Sequence, residues 1–202
     1  MGDSFVSRKD RIIASAIDII SELGLSALTT KNLALKENMS EGLLYKYFGG
    51  IDEVLVEVVN FYSKYDESVR HTVSSKSKKN MDKLYEYADT YATYYDNYYA
   101  ISTLMLQYEE LLHNVGTREQ IAKCIEERRN YVKALFDNAI REGEIIDVFS
   151  TDELADVFQG IIMSKILSRR IMNRKTSFKN ELMSYMRKWI DSIMIEEREE
   201  KI

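Results

Sequence analysis

Residues 29–48 read Thr29-Thr30-Lys31-Asn32-Leu33-Ala34-Leu35-Lys36-Glu37-Asn38-Met39-Ser40-Glu41-Gly42-Leu43-Leu44-Tyr45-Lys46-Tyr47-Phe48. Thr29 and Ser40 stand where a helix needs a side-chain oxygen to accept from its first free N–H groups. Asn38 sits between them and tolerates the left-handed conformation of a tight turn. The stretch therefore predicts two short helices joined by a turn. One runs from Thr29 through Leu33 and Ala34, and the other from Glu41 to Tyr47; Gly49 and Gly50 then break the chain.

Upstream, Ile12, Ile13, Ala16, Ile17, Ile20 and Leu23 recur at helical spacing, and Gly24 is suited to end that helix. Leu33, Ala34, Met39, Leu44 and Phe48 are expected to pack on its Ile12/Ala16/Ile20 face, with Gly42 allowing a close approach. Glu41, Leu43, Tyr45, Lys46 and Tyr47 are then left for solvent. A helix presented in this way fits a DNA major groove about 12 Å wide.

The rest of the sequence is also helical in pattern. The chain of 202 residues has no proline and eight glycines, which favours an all-α fold. Asp52 is expected to cap a fourth helix to about Val73, and Ser74 to Asn80 reads as a loop. Helices follow over Met81–Tyr95 and Asn97–Asn114, with Asp96 capping the second. Further helices run from Thr117 to about Glu142, from Ser150 or Thr151 to about Asn173, and from Ser177 to about Glu199. The total is nine helices, three short and six longer, divided into a head at 1–51 and a body at 52–202.

Charge is distributed unevenly. The net charge is −5, yet residues 1–51 hold six basic and six acidic side chains, so the deficit lies in 52–202. A DNA-binding head would dock through a few placed cations while the body is held off the duplex. One cysteine, Cys124, excludes an internal disulfide framework. His71 and His113 lie far apart, so no metal site and no cofactor is expected. No apolar run approaches the roughly 18 residues of a membrane span. Ser15 and Asp18 interrupt the segment from Ile12 to Ile20, which argues against a signal sequence. The expected location is the cytoplasm, with no membrane partner.

The run from Arg11 through Leu55 resembles the amino-terminal signature of the TetR/AcrR-type transcriptional regulators. It has a helix, a glycine, a threonine cap, Leu33-Ala34, then Ser40-x-Gly42-x-Leu44-Tyr45-x-Tyr47-Phe48. The resemblance implies a nine-helix architecture with a three-helix helix-turn-helix head and a six-helix body for ligand binding and dimerisation. It implies a regulator bound to a palindromic operator in double-stranded DNA, acting as a repressor released by a small hydrophobic or aromatic effector. Thr29, Thr30, Lys31, Ser40, Tyr45, Lys46 and Tyr47 would then contact DNA, with Glu41, Gly42 and Leu43 at the reading positions. Arg8, Lys9 and Arg11 would reach the adjacent backbone. Leu43, Glu41 and Ile51 depart from the family's usual Thr/Ser/Ala, Lys/Arg and Lys.

Two features concern the body. Tyrosines crowd residues 62–108, and those from Tyr87 to Tyr98 recur every three or four positions. Such a stripe fits either plain core packing or a pocket for an effector; the candidate lining residues are Tyr62, Tyr65, Tyr91, Tyr94, Tyr95, Tyr98 and Tyr108. The last two helices carry broad apolar faces, which either cap the chain's own core or join a second copy in a four-helix bundle. The candidate interface residues are Phe158, Ile161, Ile162, Ile166, Met186, Trp189 and Ile190, with Gly160 permitting close contact. Enzymatic function finds no support: nucleophile elbow, P-loop and zinc-protease motifs are all missing, and Glu110/His113 is half of a two-metal pattern at best. The other reading is a helical interaction module with weakened or lost DNA binding, which the neutral head, Glu41 and Ile51 favour.

Overall fold

The architecture comes from a computed structural model that describes residues 7–75, 78–172 and 176–195. Its helices are α1 (Arg8–Leu23), α2 (Thr30–Lys36), α3 (Glu41–Leu44), α4 (Ile51–Ser74) and α5 (Asn80–Asn97), then α6 (Tyr99–Ser102), α7 (Tyr108–His113), α8 (Arg118–Arg141), α9 (Thr151–Met172) and α10 (Phe178–Ile193). Tight 3-10 turns occupy Leu25–Ala27 and Thr103–Gln107. With 99–113 counted as one broken helix, these are the nine expected, and no strand forms among the described residues. No helix there is long and apolar enough to cross a membrane.

The chain forms two compact units. The first comprises Met1–Asp66 with Tyr98–Cys124, and the second Glu67–Asn97 with Ile125–Ile202. The boundary falls inside α4, and again inside α8.

In the first unit α1 buries Ile12, Ile13, Ala16, Ile17, Ile19 and Ile20. It packs against α2 and α6, and α3 packs on α2. A reciprocal capping box starts α1: Ser7 Oγ accepts from Asp10 N, and the Asp10 carboxylate accepts from Ser7 N. Gly24 ends it at φ 89°. On α4, Val54, Leu55, Val58, Val59 and Tyr62 are buried as the apolar spacing requires.

In the second unit α10 packs against α5 and α9. Tyr87 lies 4.9 Å from Tyr91, 5.1 Å from Tyr131 and 6.2 Å from Phe158, while Trp189 lies 5.9 Å from Phe136. Two carboxylates fix helix ends across this core. Glu144 accepts from the N–H groups of Asn80 and Met81, each at 2.9 Å, and so caps α5. Asp96 accepts from Ser177 Oγ at 2.6 Å and from Phe178 N at 2.8 Å, and pairs with Arg169 at 3.0 Å, which caps α10. The chain after α8 turns through Gly143 at φ 70°. There Glu144 N donates to Ala139 O and Gly143 N to Ile140 O, closing a Schellman motif. Ile145 then forms an isolated antiparallel bridge with Met194.

Several expectations are corrected. Asp96 caps α10 rather than the helix that follows it. Asp52 lies in the first turn of α4 instead of capping it. Thr117 stands just before α8 as expected, its carbonyl accepting from Ile121 N at 2.9 Å, while its buried hydroxyl donates to Leu111 O at 2.7 Å. The helix expected over 97–114 is broken: Tyr98 leaves the helical conformation at φ −133° and ψ 74°, and the Ser102 and Thr103 hydroxyls donate back to Tyr99 O and Ala100 O at 2.7 Å each. Such local bonds compete with the regular ladder and tighten it to 3-10 geometry. The last helix ends at Ile193, where the chain turns extended to pair with Ile145, short of the expected Glu199. Asn173, Glu199 and the loop residues Lys76 and Ser77 lie outside the described residues.

Burial pushes the Asp96 carboxyl upward, but the bonds from Ser177, Phe178 and Arg169 outweigh it and hold its pKa below the ordinary carboxylate value. A folded pKa below the unfolded one contributes stability above the unfolded value of about 3.9, and that contribution is lost as pH falls through the folded value. Asp96→Ala is therefore expected to lower stability by about 1–2 kcal/mol at pH 7. In urea titrations at a series of pH values, the gap from the parent protein should stay constant down to about pH 4 and close below it.

Candidate nucleic-acid interface

The geometry of residues 29–48 follows from how each helix end is satisfied. Thr29 Oγ1 accepts from Asn32 N at 3.1 Å and starts α2. At the other end Met39 N donates to Ala34 O at 2.9 Å and Asn38 N to Leu35 O at 3.1 Å, a second Schellman motif, with Asn38 left-handed at φ 51°. Ser40 Oγ accepts from Leu43 N at 3.2 Å and starts α3. Beyond Leu44, bonds from Tyr47 N and Phe48 N to Leu44 O continue the turn to Phe48.

Burial then sorts the side chains. Leu33, Ala34, Leu44 and Phe48 are inside. Thr29, Lys31, Ser40, Glu41, Gly42, Tyr45 and Lys46 are exposed; Thr30, Leu43 and Tyr47 are half-buried. Leu43 and Tyr47 thus face solvent less than the spacing suggested, since each sits next to a core position on a helix of little more than one turn. A Cβ at Gly42 would meet nothing closer than Ser40 Oγ at 4.0 Å, so close packing does not require that glycine.

Electrostatically the head is more self-contained than its sequence implied. Glu37, at the end of α2, accepts from Ser15 Oγ at 2.6 Å and lies 3.8 Å from Arg8 and 3.5 Å from Arg11. These two arginines, expected at the DNA backbone, here latch the turn onto α1. Lys36 faces Asp18 and Glu22 at 3.8 and 3.6 Å, and Lys9 lies over the Phe48 ring. Lys31 and Lys46 have no carboxylate within 4.0 Å among the described residues. Thr30 Oγ1 donates to Glu41 at 2.8 Å and ties the start of α2 to the start of α3. At the α4 N-terminus, beside Ile51, the Glu53 carboxylate accepts from Gly49 N at 2.6 Å. Sequence reading missed Glu37 and Glu53, because a lone glutamate in a charged stretch gives no signal of what it meets.

The tyrosines divide between the units. In the first, Tyr62 is buried with its hydroxyl 2.6 Å from that of Tyr108, their rings edge to face, while Tyr65 and Tyr98 are half-buried. Tyr98 lines a cavity of about 120 Å³ with Asp10, Ile13, Ala14, Ile17 and Phe61. In the second, Tyr91 and Tyr95 are buried, and burial pushes the half-buried Tyr94 hydroxyl up to about 12. The Arg128 guanidinium lies 5.2 Å from the centre of the Tyr91 ring and is only 5% exposed. Nothing in the run Glu126-Glu127-Arg128-Arg129 distinguishes this buried cation from its solvated neighbours. His113 pairs with Glu109 at 3.0 Å, and no cluster of three or more metal-binding side chains occurs among the described residues.

Of the seven expected interface residues, Phe158, Ile162, Ile166, Met186 and Ile190 are buried in the second unit's own core. They cannot meet a partner directly, because their apolar surface is already covered. Ile161 and Trp189 are half-buried. The open face of α9 carries Val157, Gly160, Ile161, Ser164, Leu167 and Ile171, a stripe at helical spacing with Ile171 72% exposed. A Cβ at Gly160 would meet nothing within 4 Å.

Residues 12–58 match the family model described as bacterial regulatory proteins, tetR family. No curated protein matches the sequence. Among solved structures, the fold is similar to that of the ketosteroid transcriptional regulator KstR2 of Mycobacterium tuberculosis, with a TM-score of 0.85 at 14% identity over 95% of this chain and 97% of that one. AibR in complex with isovaleryl coenzyme A and operator DNA gives 0.77 at 16% identity, covering 93% and 98%. FadR from Bacillus subtilis in complex with stearoyl-CoA gives 0.69 at 16% identity, covering 87% and 96%.

The two faces of α3 should separate experimentally. Leu44→Ala is expected to cost about 2–5 kcal/mol in chemical denaturation, because it opens a cavity under the turn. Lys46→Ala should stay within about 0.5 kcal/mol of the parent.

Proposed function

We propose that this chain, whose residues 12–58 match the tetR-family model and whose fold is similar to that of KstR2, is a homodimeric, ligand-responsive transcriptional regulator of that family that binds double-stranded DNA. The observation that carries the reading is the outer face of α3. The buried Leu44 and Phe48 hold it outward, and it presents Glu41, Tyr45 and Lys46 with Lys31 at the start of α2. In this reading residues 1–51 are the DNA-binding head and 52–202 the effector and dimer body. Thr29, Ser40 and Tyr47 serve the phosphates beside the groove, while the Thr30 hydroxyl donates to Glu41.

The dimer forms through the open stripe of α9, Val157 to Ile171, with Tyr185 and Trp189 of α10 at its edge. Paired recognition helices call for a palindromic operator, with half-sites one DNA turn or a multiple of it apart. The effector is a small hydrophobic or aromatic molecule taken up by the body. Acyl-CoA thioesters are the first compounds to test, since FadR and AibR are described in complex with them. Because α4 runs in sequence from the head into the second unit, a shift of α4 on effector binding would change the spacing of the two recognition helices and release the operator. A coupling of about 1–3 kcal/mol suffices for a useful response. The regulator acts in the cytoplasm as a repressor.

Gel shift with the DNA flanking its own coding region tests this. The expected result is sequence-selective binding that weakens steeply with salt, with Lys31→Ala and Lys46→Ala each reducing the salt slope by about 1. Equal affinity for unrelated duplexes would favour an interaction module instead. In sedimentation the protein should be a dimer at micromolar concentration. Val157→Asp with Ile171→Asp should yield folded monomers that bind the operator weakly; an unchanged dimer would place the interface elsewhere.

A further inference from the structure

Glu41 is the first residue of α3 and is exposed. Its side chain does not hang free, because Thr30 Oγ1 donates to Oε2 at 2.8 Å from the preceding helix. The other carboxylate oxygen has no partner among the described residues. Of its neighbours, Leu43 is apolar and Ser40 Oγ accepts from Leu43 N at 3.2 Å. The outward face of α3 therefore leads with a fixed negative acceptor.

Such a group is unfavourable near phosphates unless a donor meets it. In the major groove the donors are the N4 amino group of cytosine and the N6 amino group of adenine. Beside the adenine amino lies N7, an acceptor that repels a carboxylate. The cytosine amino has a C–H edge on one side and O6 of the paired guanine on the other, whereas the adenine amino lies between two acceptors, N7 and the paired thymine's O4. We infer that Glu41, oriented by Thr30, is a specificity-determining residue that accepts a hydrogen bond from a cytosine amino group in each operator half-site. The inference rests on the DNA-binding reading above and adds to it the base that is read. Thr30 is a positioning residue: it satisfies one oxygen, aims the other, and lowers the entropy lost on docking.

The test is enrichment of bound duplexes from a random pool by the full-length protein, followed by competition binding with single-base variants of the enriched site. The wild-type protein is expected to prefer cytosine at one symmetry-related position by about ten-fold. Glu41→Ala should lose that preference at that position alone. Glu41→Gln should move it toward adenine, whose N6 and N7 match an amide. Thr30→Val should weaken the discrimination and Thr30→Ser should keep it, which a purely structural role would not produce. An enriched site whose base preferences are the same in Glu41→Ala overturns the inference and leaves DNA binding standing. So does uniformly tighter binding of Glu41→Ala to every sequence, which would mean that the carboxylate only repels phosphate. If the wild-type protein enriches no sequence, the DNA-binding reading falls and the inference with it.

Discussion

The head depends on one constraint, the burial of Leu33, Ala34, Leu44 and Phe48 beside the apolar face of α1. Helix α3 has four residues, too few to be stable alone. Its orientation is set by the burial of Leu44 and of Phe48 in the turn that follows it. With Leu44 and Phe48 inside, the 3.6-residue period leaves Glu41, Tyr45 and Lys46 outside, and the Asn38 turn fixes the angle between α2 and α3. Glu37 reinforces this by drawing Arg8, Arg11 and Ser15 onto the end of α2. The outer face is thus a consequence of the inner one.

Electrostatics adds a second layer. Three of the head's cations are paired with carboxylates of the same head, so in the DNA-binding reading proposed above the head would attract a polyanion through few charges and rely more on groups fixed in place. Surface pairs of this kind contribute little to stability. Their main effect is to orient side chains, and Thr30 does the same for Glu41. In the second unit, carboxylates again do the fixing: Glu144 holds the start of α5 and Asp96 the start of α10.

The sequence was most legible where a single helix end or a single face decides the outcome. Thr29, Ser40, Asn38, Gly24 and Ser177 all act where their chemistry suggested, because caps and left-handed turns are local. It was least legible where the partner is distant in sequence. Asp96 looked like a cap for its neighbour but serves a helix 82 residues on. Arg128, which nothing in its charged run sets apart, is buried over Tyr91. The apolar stripes of α9 and α10 were visible, yet periodicity does not say which side faces the chain's own core. Phe158, Ile162 and Ile166 went inward, leaving Val157, Leu167 and Ile171 open. The tyrosine run likewise showed a shared face without showing that its members belong to two different units.

The central claim is that this face of α3 enters the major groove twice per dimer. Hydroxyl-radical footprinting of the protein on its own flanking DNA tests it most directly. The account predicts two symmetric protected patches on one side of the duplex, centred one helical turn or a multiple apart. Uniform cleavage at saturating protein, or a single asymmetric patch, would contradict it.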